Sequence, residues 1–377
     1  MDHTIQTSFL IISDTHGDEK VAEKLLHLDR DVDVAIHCGD LTEGANMSEF
    51  RSALQLLKGI KAHLKIVIAG NHDWTMDNLT FDRKIREYVD RETKHGEFTQ
   101  GDQDLLDKSF GARGEAKCLF ESAEAKAAGI IFLDEGTHHF TLANGANLQV
   151  YASPYTCSRE ADWGYQYTPS EEHEWSIPAG IDIAITHSPP RGVLDLIDKE
   201  RRNGDLRAGS PSLFAAIAHS KPKVHCFGHI HESWGSKMVT WRDDVPEGQP
   251  LTHFNAIDNG APKDDNNNMS LRQLQDEGKQ YPPTCNLSLQ SQQVGRQTLF
   301  VNAALEELEK CQPQPAFIVD IPLAKANIFT ASAAKMAQTK PEAAQRESET
   351  TQPKKRKLES VEQEETSHSH IKRTCWC

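Results

Sequence analysis

Five short apolar runs in this chain each lead into side chains able to bind a metal ion. Phe9-Leu10-Ile11-Ile12 precedes Asp14-Thr15-His16, Val32-Asp33-Val34-Ala35-Ile36 precedes Gly39-Asp40, and Lys65-Ile66-Val67-Ile68-Ala69 precedes Gly70-Asn71-His72. Ile181-Asp182-Ile183-Ala184-Ile185 runs into Thr186-His187, and Val224-His225-Cys226-Phe227 into Gly228-His229-Ile230-His231. Runs this rich in Val, Ile and Ala read as strands buried on both faces. A polar ligand directly after such a strand sits at the carboxyl edge of a sheet, where open α/β folds place their sites. One such cluster alone is more often a turn or a hydrogen-bonded core histidine. Five in this order supply Asp14, His16, Asp40, Asn71, His187, His229 and His231. That is the inventory a pair of divalent cations needs: two sets of imidazole with carboxylate or amide, and one carboxylate to bridge them.

The intervening sequence supports the same class. Residues 8 to 75 read strand, loop, helix, strand, helix, strand, with helices over about Asp18 to Asp29 and Met47 to Ala62. The second helix places Phe50, Ala53, Leu54, Leu57 and Ile60 on one face. Strands alternating with helices predict a largely parallel sheet covered on both sides. Residues 76 to 128 are charged and helical in pattern, and residues 130 to 152 return to β, with Asn144-Gly145 marking a hairpin turn. The stretch 243 to 296 carries Lys263-Asp264-Asp265-Asn266-Asn267-Asn268, many Gln and few large apolar residues, so it reads as an insertion largely without structure. Strands resume at Gln297 to Ala304 and Ala316 to Pro322. The expected organisation is one domain over residues 1 to 325 and a disordered tail over 326 to 377.

Composition narrows the partners. The 377 residues carry a formal net charge of −15, and the last 38 residues are nearly balanced, so the acidity belongs to the globular part. An acidic body disfavours stable binding to nucleic acid or anionic membrane, while leaving room for a small phosphate-ester substrate, because bound cations would dominate the local charge. The eight cysteines include no Cys-x-x-Cys pair, which points to a reducing, cytoplasmic setting. The first residues lack the apolar run of a signal peptide, and no run approaches the ~20 residues of a membrane helix.

These motifs resemble the calcineurin-like metallophosphoesterase superfamily. Longer stretches are similar to the branch of metallophosphoesterase domain-containing proteins and class III cyclic nucleotide phosphodiesterases. They are Tyr151-Ala152-Ser153-Pro154-Tyr155-Thr156, Trp163-Gly164-Tyr165, Pro178-Ala179-Gly180-Ile181-Asp182, Thr186-His187-Ser188-Pro189-Pro190, Gly228-His229-Ile230-His231-Glu232 and Phe300-Val301-Asn302-Ala303. The resemblance covers about residues 8 to 325 apart from the insertion. It implies an α/β fold, a four-layer α/β/β/α sandwich of two mixed sheets flanked by helices. It also implies two divalent metal ions, manganese by preference with iron or zinc as alternatives. Asp14, His16 and His231 would hold the first, Asn71, His187 and His229 the second, and Asp40 would bridge them. A hydroxide between the cations would attack phosphorus in line. His72 would assist the leaving oxygen, and Asp73 is placed to orient His72.

The resemblance favours a phosphodiesterase acting on small phosphodiesters or cyclic nucleotides. Gly39-Asp40-Leu41-Thr42-Glu43-Gly44 lacks the Asp-Arg pair that the protein Ser/Thr phosphatases of the superfamily carry after this strand. Some members replace the first His of Gly-His-x-His by Gly and turn over slowly; His229 is present here. Tyr155 and Trp163 are candidates to stack a base or aryl group, and Arg191, which departs from the branch's apolar tendency, is a candidate to contact phosphate. A phosphomonoesterase on small metabolites and a weakly active metal-bound scaffold are the alternatives. Pro353-Lys354-Lys355-Arg356-Lys357 is a basic cluster that can serve in nuclear import, and Cys375-Trp376-Cys377 is not a prenylation box.

Overall fold

A computed structural model describes residues 4–28, 30–159, 162–197, 207–242, 254–258, 283–290, 295–306 and 313–326. The first sheet holds β1 (Thr4–Ile12), β2 (Val32–His37), β3 (Ala62–Val67) and β4 (Ile130–Phe132) in parallel. β15 (Ala316–Ala324) pairs antiparallel with β1, and β13 (Thr284–Ser288) closes that edge parallel to β15. The second sheet is built on the same plan. β6 (Asn147–Ser153), β9 (Ile183–Thr186), β10 (Val224–Phe227) and β14 (Gln297–Asn302) run parallel in that order. β5 (Gly136–Thr141) flanks β6 antiparallel, β11 (Gly235–Trp241) flanks β14, and β12 (Phe254–Asp258) lies outside β11. β7 (Thr156–Cys157) and β8 (Gln166–Tyr167) form a small separate ribbon.

Strand alternation sorts the apolar side chains into three layers. Phe9 and Ile11 of β1 and Val34 and Ile36 of β2 face Val150, Ile185, Val224 and Val301 of the other sheet, which gives the inter-sheet core. Leu10, Ile12 and Ala35 point the other way, against α1 (Glu19–Leu26), α2 (Met47–Gly59), α5 (Glu115–Phe120) and α6 (Ala123–Ala127). On the outer face of the second sheet Tyr151, Ala184, Phe227 and Phe300 pack against Leu213 and Ile217 of α7 (Pro211–Ser220). The expected four-layer α/β/β/α sandwich of two mixed sheets is the fold found. Between β3 and β4 the charged stretch is helical as expected, adding α3 (Asn78–His95) and α4 (Gln100–Phe110).

Differences from the sequence reading are local. Asp18 caps α1 by accepting the Lys20 N–H at 2.7 Å, and the helix ends at Leu26. α2 stops at Gly59 because Ile60 is extended and Ala62 is already paired with Val32 in β3. Within 243–296, expected to lack regular structure, β12 and β13 are edge strands, one on each sheet. Residues 243–253, 259–282 and 291–294, the tail beyond 326 and its basic cluster lie outside the described residues.

Phe317 lies fully buried in the inter-sheet core with its ring stacked on Trp234 at 5.0 Å. Phe317→Ala is expected to cost about 3–5 kcal/mol of unfolding free energy, measured by urea titration.

Candidate metal centre

Every ligand candidate lies just past the carboxyl end of a parallel strand: Asp14 and His16 after β1, Asp40 after β2, Asn71 and His72 after β3, His187 after β9, and His229 and His231 after β10. To turn these side chains toward one another the backbone enters a region non-glycine residues seldom use. Asp14, His16, Asp40 and His229 have φ of 52°, 43°, 53° and 70°. Such conformations cost on the order of 1–3 kcal/mol each and persist only where neighbours over-determine them. Here Asp14 N–H donates to Gly39 O at 3.0 Å and His16 N–H to Asp40 O at 3.2 Å, locking the first two loops together. Two glycines permit the closest approaches. A Cβ on Gly70 would sit 2.2 Å from Asp40 Oδ1, and one on Gly228 1.9 Å from Asp14 Oδ2.

The seven predicted ligands converge as two groups that meet at Asp40. Asp14, His16 and His231 form the first: His231 Nε2 is 3.2 Å and His16 Nε2 3.9 Å from Asp14 Oδ1. His187, His229 and Asp40 form the second, and Asn71 Oδ1 lies 3.0 Å from His187 Nε2. Asp40 Oδ2 reaches both sides, 3.2 Å from His187 Nε2 and 3.8 Å from His16 Nε2.

The donor chemistry fits cations. His187 Nδ1–H donates to the Cys38 carbonyl at 2.9 Å, which leaves the lone pair on Nε2. That lone pair faces Asn71 Oδ1 and Asp40 Oδ2, so three electron-rich atoms crowd together as they do around a shared cation. Burial alone would keep the His187 imidazole neutral; the carboxylates of Asp40 and Asp14 overcome this and raise it to about 9, so this place draws a positive charge, a proton or a cation, onto Nε2. His16 shows the same polarity. Its Nδ1–H donates to Thr42 O at 3.1 Å, while the buried Nε2 has no hydrogen-bond partner. A divalent ion in each position would satisfy these atoms.

The candidates beyond the ligands fare unequally. His72 lies at the centre: its ring is edge-on to His16 at 4.7 Å, its N–H donates to Asp40 Oδ1 at 2.8 Å, and its Nδ1–H donates to the Glu43 carbonyl at 2.7 Å. Asp73 does not hold the place expected for it. Its Oδ1 accepts from Thr42 N–H and Oγ1–H at 3.0 and 2.9 Å, and its Oδ2 from Leu41 and Gly70 N–H at 3.1 and 2.9 Å. With both oxygens committed to loop donors, Asp73 clamps the β2 and β3 loops, and the Glu43 carbonyl does the orienting of His72. Burial and the nearby Asp40 push the Asp73 carboxyl up to about 6 against those four donors.

Trp163 stacks on His72 itself, at 4.4 Å and 27°, and carries Lys84 Nζ 5.1 Å from its ring centre. Tyr155 stacks on His173 at 4.6 Å, and His173 bonds Glu135 at 2.6 Å together with Ser153 and Tyr151. Arg191 donates to the Arg207 carbonyl at 3.1 Å. Each of these three thus has a protein partner at the place where a substrate contact was expected.

Sequence reasoning missed four residues. His37 accepts the Gly39 N–H at Nδ1 (3.3 Å), so its Nε2–H donates to Thr15 Oγ1 (2.9 Å), between the candidate ligands Asp14 and His16. His225 plays the same part in the other sheet: Thr186 Oγ1–H donates to Ser188 O, so His225 Nε2–H donates to Thr186 beside His187. Their signal was a histidine at the end of one apolar run, His37, and one within another, His225. Glu43 Oε2 lies 3.1 Å from His16 Nδ1, and Glu306 Oε2 3.6 Å from both His16 Nε2 and His231 Nδ1. Nothing in the spacing marks these two.

With that geometry in place, comparison with known proteins is decisive for the family. The calcineurin-like phosphoesterase family matches residues 7–233, more than half of the chain. The chain belongs to the calcineurin-like phosphoesterase family. The family is one of dinuclear metal-dependent phosphoester hydrolases, and the two residue groups around Asp40 are this member's candidate ligands. Human metallophosphoesterase domain-containing protein 1 is 29% identical over 237 residues, which is 61% of this chain and 62% of that protein. A probable rhamnogalacturonate lyase C of Emericella nidulans is 29% identical over 233 residues, 61% of this chain but 18% of that one. The aligned part thus spans less than two thirds of either relative. Yellow lupin purple acid phosphatase superposes with a TM-score of 0.36 at 9% identity, covering 84% of this chain and 54% of that one. Among the described residues no helix is long and apolar enough to cross a membrane.

Two outcomes follow from this geometry. Gly228→Ala drives a methyl into Asp14 and is expected to weaken Mn²⁺ binding about tenfold or more by titration calorimetry, with the far-UV circular dichroism retained. Burial opposes ionisation of Glu135, yet its bonds from His173 and Ser153 hold it below the ordinary carboxylate range. The folded state therefore binds this proton less readily than the unfolded chain. The stability it contributes is present above the ordinary value and lost as pH falls through the folded one. The difference in Tm between the native protein and Glu135→Gln should shrink from pH 6 to pH 3.

Proposed function

We propose that this chain is a dinuclear metal-dependent phosphodiesterase acting on small phosphodiesters or cyclic nucleotides. The observation that carries the reading is the meeting of the Asp14–His16–His231 and Asn71–His187–His229 groups at one carboxylate, Asp40, with His72 beside it. Two divalent cations, when bound, would lower the pKa of water toward neutrality and offset charge on the phosphate oxygens.

The side chains supply the rest. Asp40 would set one negative charge beside both cations, which would reduce their repulsion. His72, with Nδ1–H fixed on the Glu43 carbonyl, presents its other nitrogen for a proton or hydrogen bond to the departing oxygen, and Trp163 fixes the ring plane. Preference for a diester over a monoester rests on charge. Glu43 and Glu306 stand at the edge of the centre, and Arg191 is turned to the Arg207 carbonyl. A monoanionic diester meets less repulsion from these carboxylates than a dianionic monoester.

Purified protein with Mn²⁺ should hydrolyse bis-p-nitrophenyl phosphate faster than p-nitrophenyl phosphate, and Asp40→Asn should reduce that rate by at least ~10²-fold. Equal background rates for both proteins would remove the enzyme reading, and faster monoester turnover would remove the diester preference. His72→Ala is expected to lower kcat about 10²–10⁴-fold, more for alkyl than for nitrophenyl leaving groups, in a leaving-group series.

A further inference from the structure

The Glu43 carbonyl fixes one nitrogen of His72, and a hydrogen bond along the ring edge leaves the tilt of the imidazole to packing. The indole of Trp163 lies against that ring, 4.4 Å away and 27° off parallel. The backbone around Trp163 is fastened to the turn that carries His72. Trp163 N–H donates to Gln166 Oε1, Gly164 N–H to Asn71 O and Tyr165 N–H to Asp77 Oδ2, each at 3.0 Å. Gly164 is seated so closely on Trp74 that a Cβ would fall 2.6 Å from the Trp74 Cα. These bonds set the chain and leave the indole's own torsions to whatever lies over its ring.

An ammonium lies over it. Lys84 stands on α3 three residues after Phe81, on the same helix face. Its Nζ is 5.1 Å from the ring centre of Trp163 and 5.5 Å from that of Trp74. Trp74 is two residues after His72, buried, and backed by Phe110 at 4.9 Å and Phe81 at 6.3 Å. One cation therefore joins the ring against His72 to a fixed ring on the segment that carries His72. The acids nearby do not draw it away. Asp162 and Glu87 approach Arg83, at 3.5 and 3.6 Å, and among the described residues no carboxylate bonds Lys84. The attraction of a cation for an aromatic face strengthens as water is removed, and Lys84 is half-buried.

We propose that Lys84 is a positioning residue for His72 that acts through Trp163: its ammonium holds the indole against the imidazole. The orientation of the group assigned to the departing oxygen thus depends on a side chain of α3, outside the strand-end loops. This rests on the phosphodiesterase reading above and adds to it a residue with no contact to the reacting atoms.

A leaving-group series with the full-length protein and Mn²⁺ tests it. The substrates are aryl phosphodiesters from nitrophenyl to unsubstituted phenyl. Lys84→Met keeps the apolar stem and removes the charge. It should lower kcat about tenfold for the poorest leaving group and less than about twofold for nitrophenyl, with KM within about twofold throughout. Lys84→Arg, which offers the same rings a cation, should restore kcat to within about threefold of native. Trp163→Leu should show the loss of Lys84→Met, and adding Lys84→Met to it should take nothing more. Mn²⁺ uptake by equilibrium dialysis and far-UV circular dichroism should match the native protein in every variant. Lys126→Met, at an exposed lysine of α6, is the control for net charge and should behave as native. Native rates in Lys84→Met, an equal loss for every leaving group, no rescue by Arg, a further loss in the Trp163→Leu background or altered Mn²⁺ uptake would each overturn the inference while leaving the phosphodiesterase reading intact. A native protein without diesterase activity would instead remove the reading on which it rests.

Discussion

His187 leaves the end of β9 in one sheet and donates its Nδ1 proton to the carbonyl of Cys38, just past β2 in the other. Everything the centre does depends on that crossing. Each sheet alone carries only part of a ligand set: Asp14, His16, Asp40 and Asn71 come from the first, and His187, His229 and His231 from the second. The inter-sheet core brings the strand ends into range, but apolar packing is not directional and cannot set a ligand to a few tenths of an ångström. The polar links do that. The His229 N–H on the Asp14 carboxylate, at 3.0 and 3.1 Å, is the second such crossing, and it runs toward the first cation position as His187 runs toward the second.

The left-handed backbone at Asp14, His16, Asp40 and His229 follows from the same requirement. A strand that continued straight would carry its next side chain past the partner sheet; reversing the chain within one or two residues points it back across the gap. The strained backbone is held in place by its neighbours. Asp73 fastens Leu41, Thr42 and Gly70 with one carboxylate, and glycine precedes Asp40, Asn71 and His229, where a methyl would strike a ligand or the neighbouring backbone. Asp73 therefore shapes the centre by fastening its loops.

Much of this was legible in the sequence, and what was not has a physical reason. A buried parallel strand is a run of apolar residues, and a polar residue at its end is adjacent in sequence, so the seven candidate ligands and the strands behind them could be read directly. His72 was legible because it neighbours Asn71. The role of Asp73 was not, because neighbouring residues at a tight turn can point to different loops, and only coordinates show that its oxygens are spent on Leu41, Thr42 and Gly70. Trp163 was a candidate to stack a substrate group, and its ring lies on His72; an aromatic ring near a site has the same sequence signature in either role. Glu306 lies 75 residues after His231 and meets it through the pairing of residue 304 with Ser13, a juxtaposition with no local signal. β12 and β13 were masked by the polar composition around them.

The buried histidines show how one residue type is divided between two duties. His37 and His225 sit within the strands, where burial holds their imidazoles down to about 4 and about 3, so they stay neutral through ordinary pH. A neutral ring with a fixed tautomer can take one bond and give one, and each uses its Nε2–H on a threonine adjacent to a ligand. A protonated ring in the same place would be a buried charge with no carboxylate bonded to it, and would push against the cations as well. His187 lies one residue beyond its strand, where Asp40 and Asp14 reach it, and there the balance reverses in favour of positive charge. Position past the strand end does not decide this alone: His229, also beyond its strand, is held down to about 3 by burial and by the neighbouring His187, although Asp40 and Asp14 act the other way.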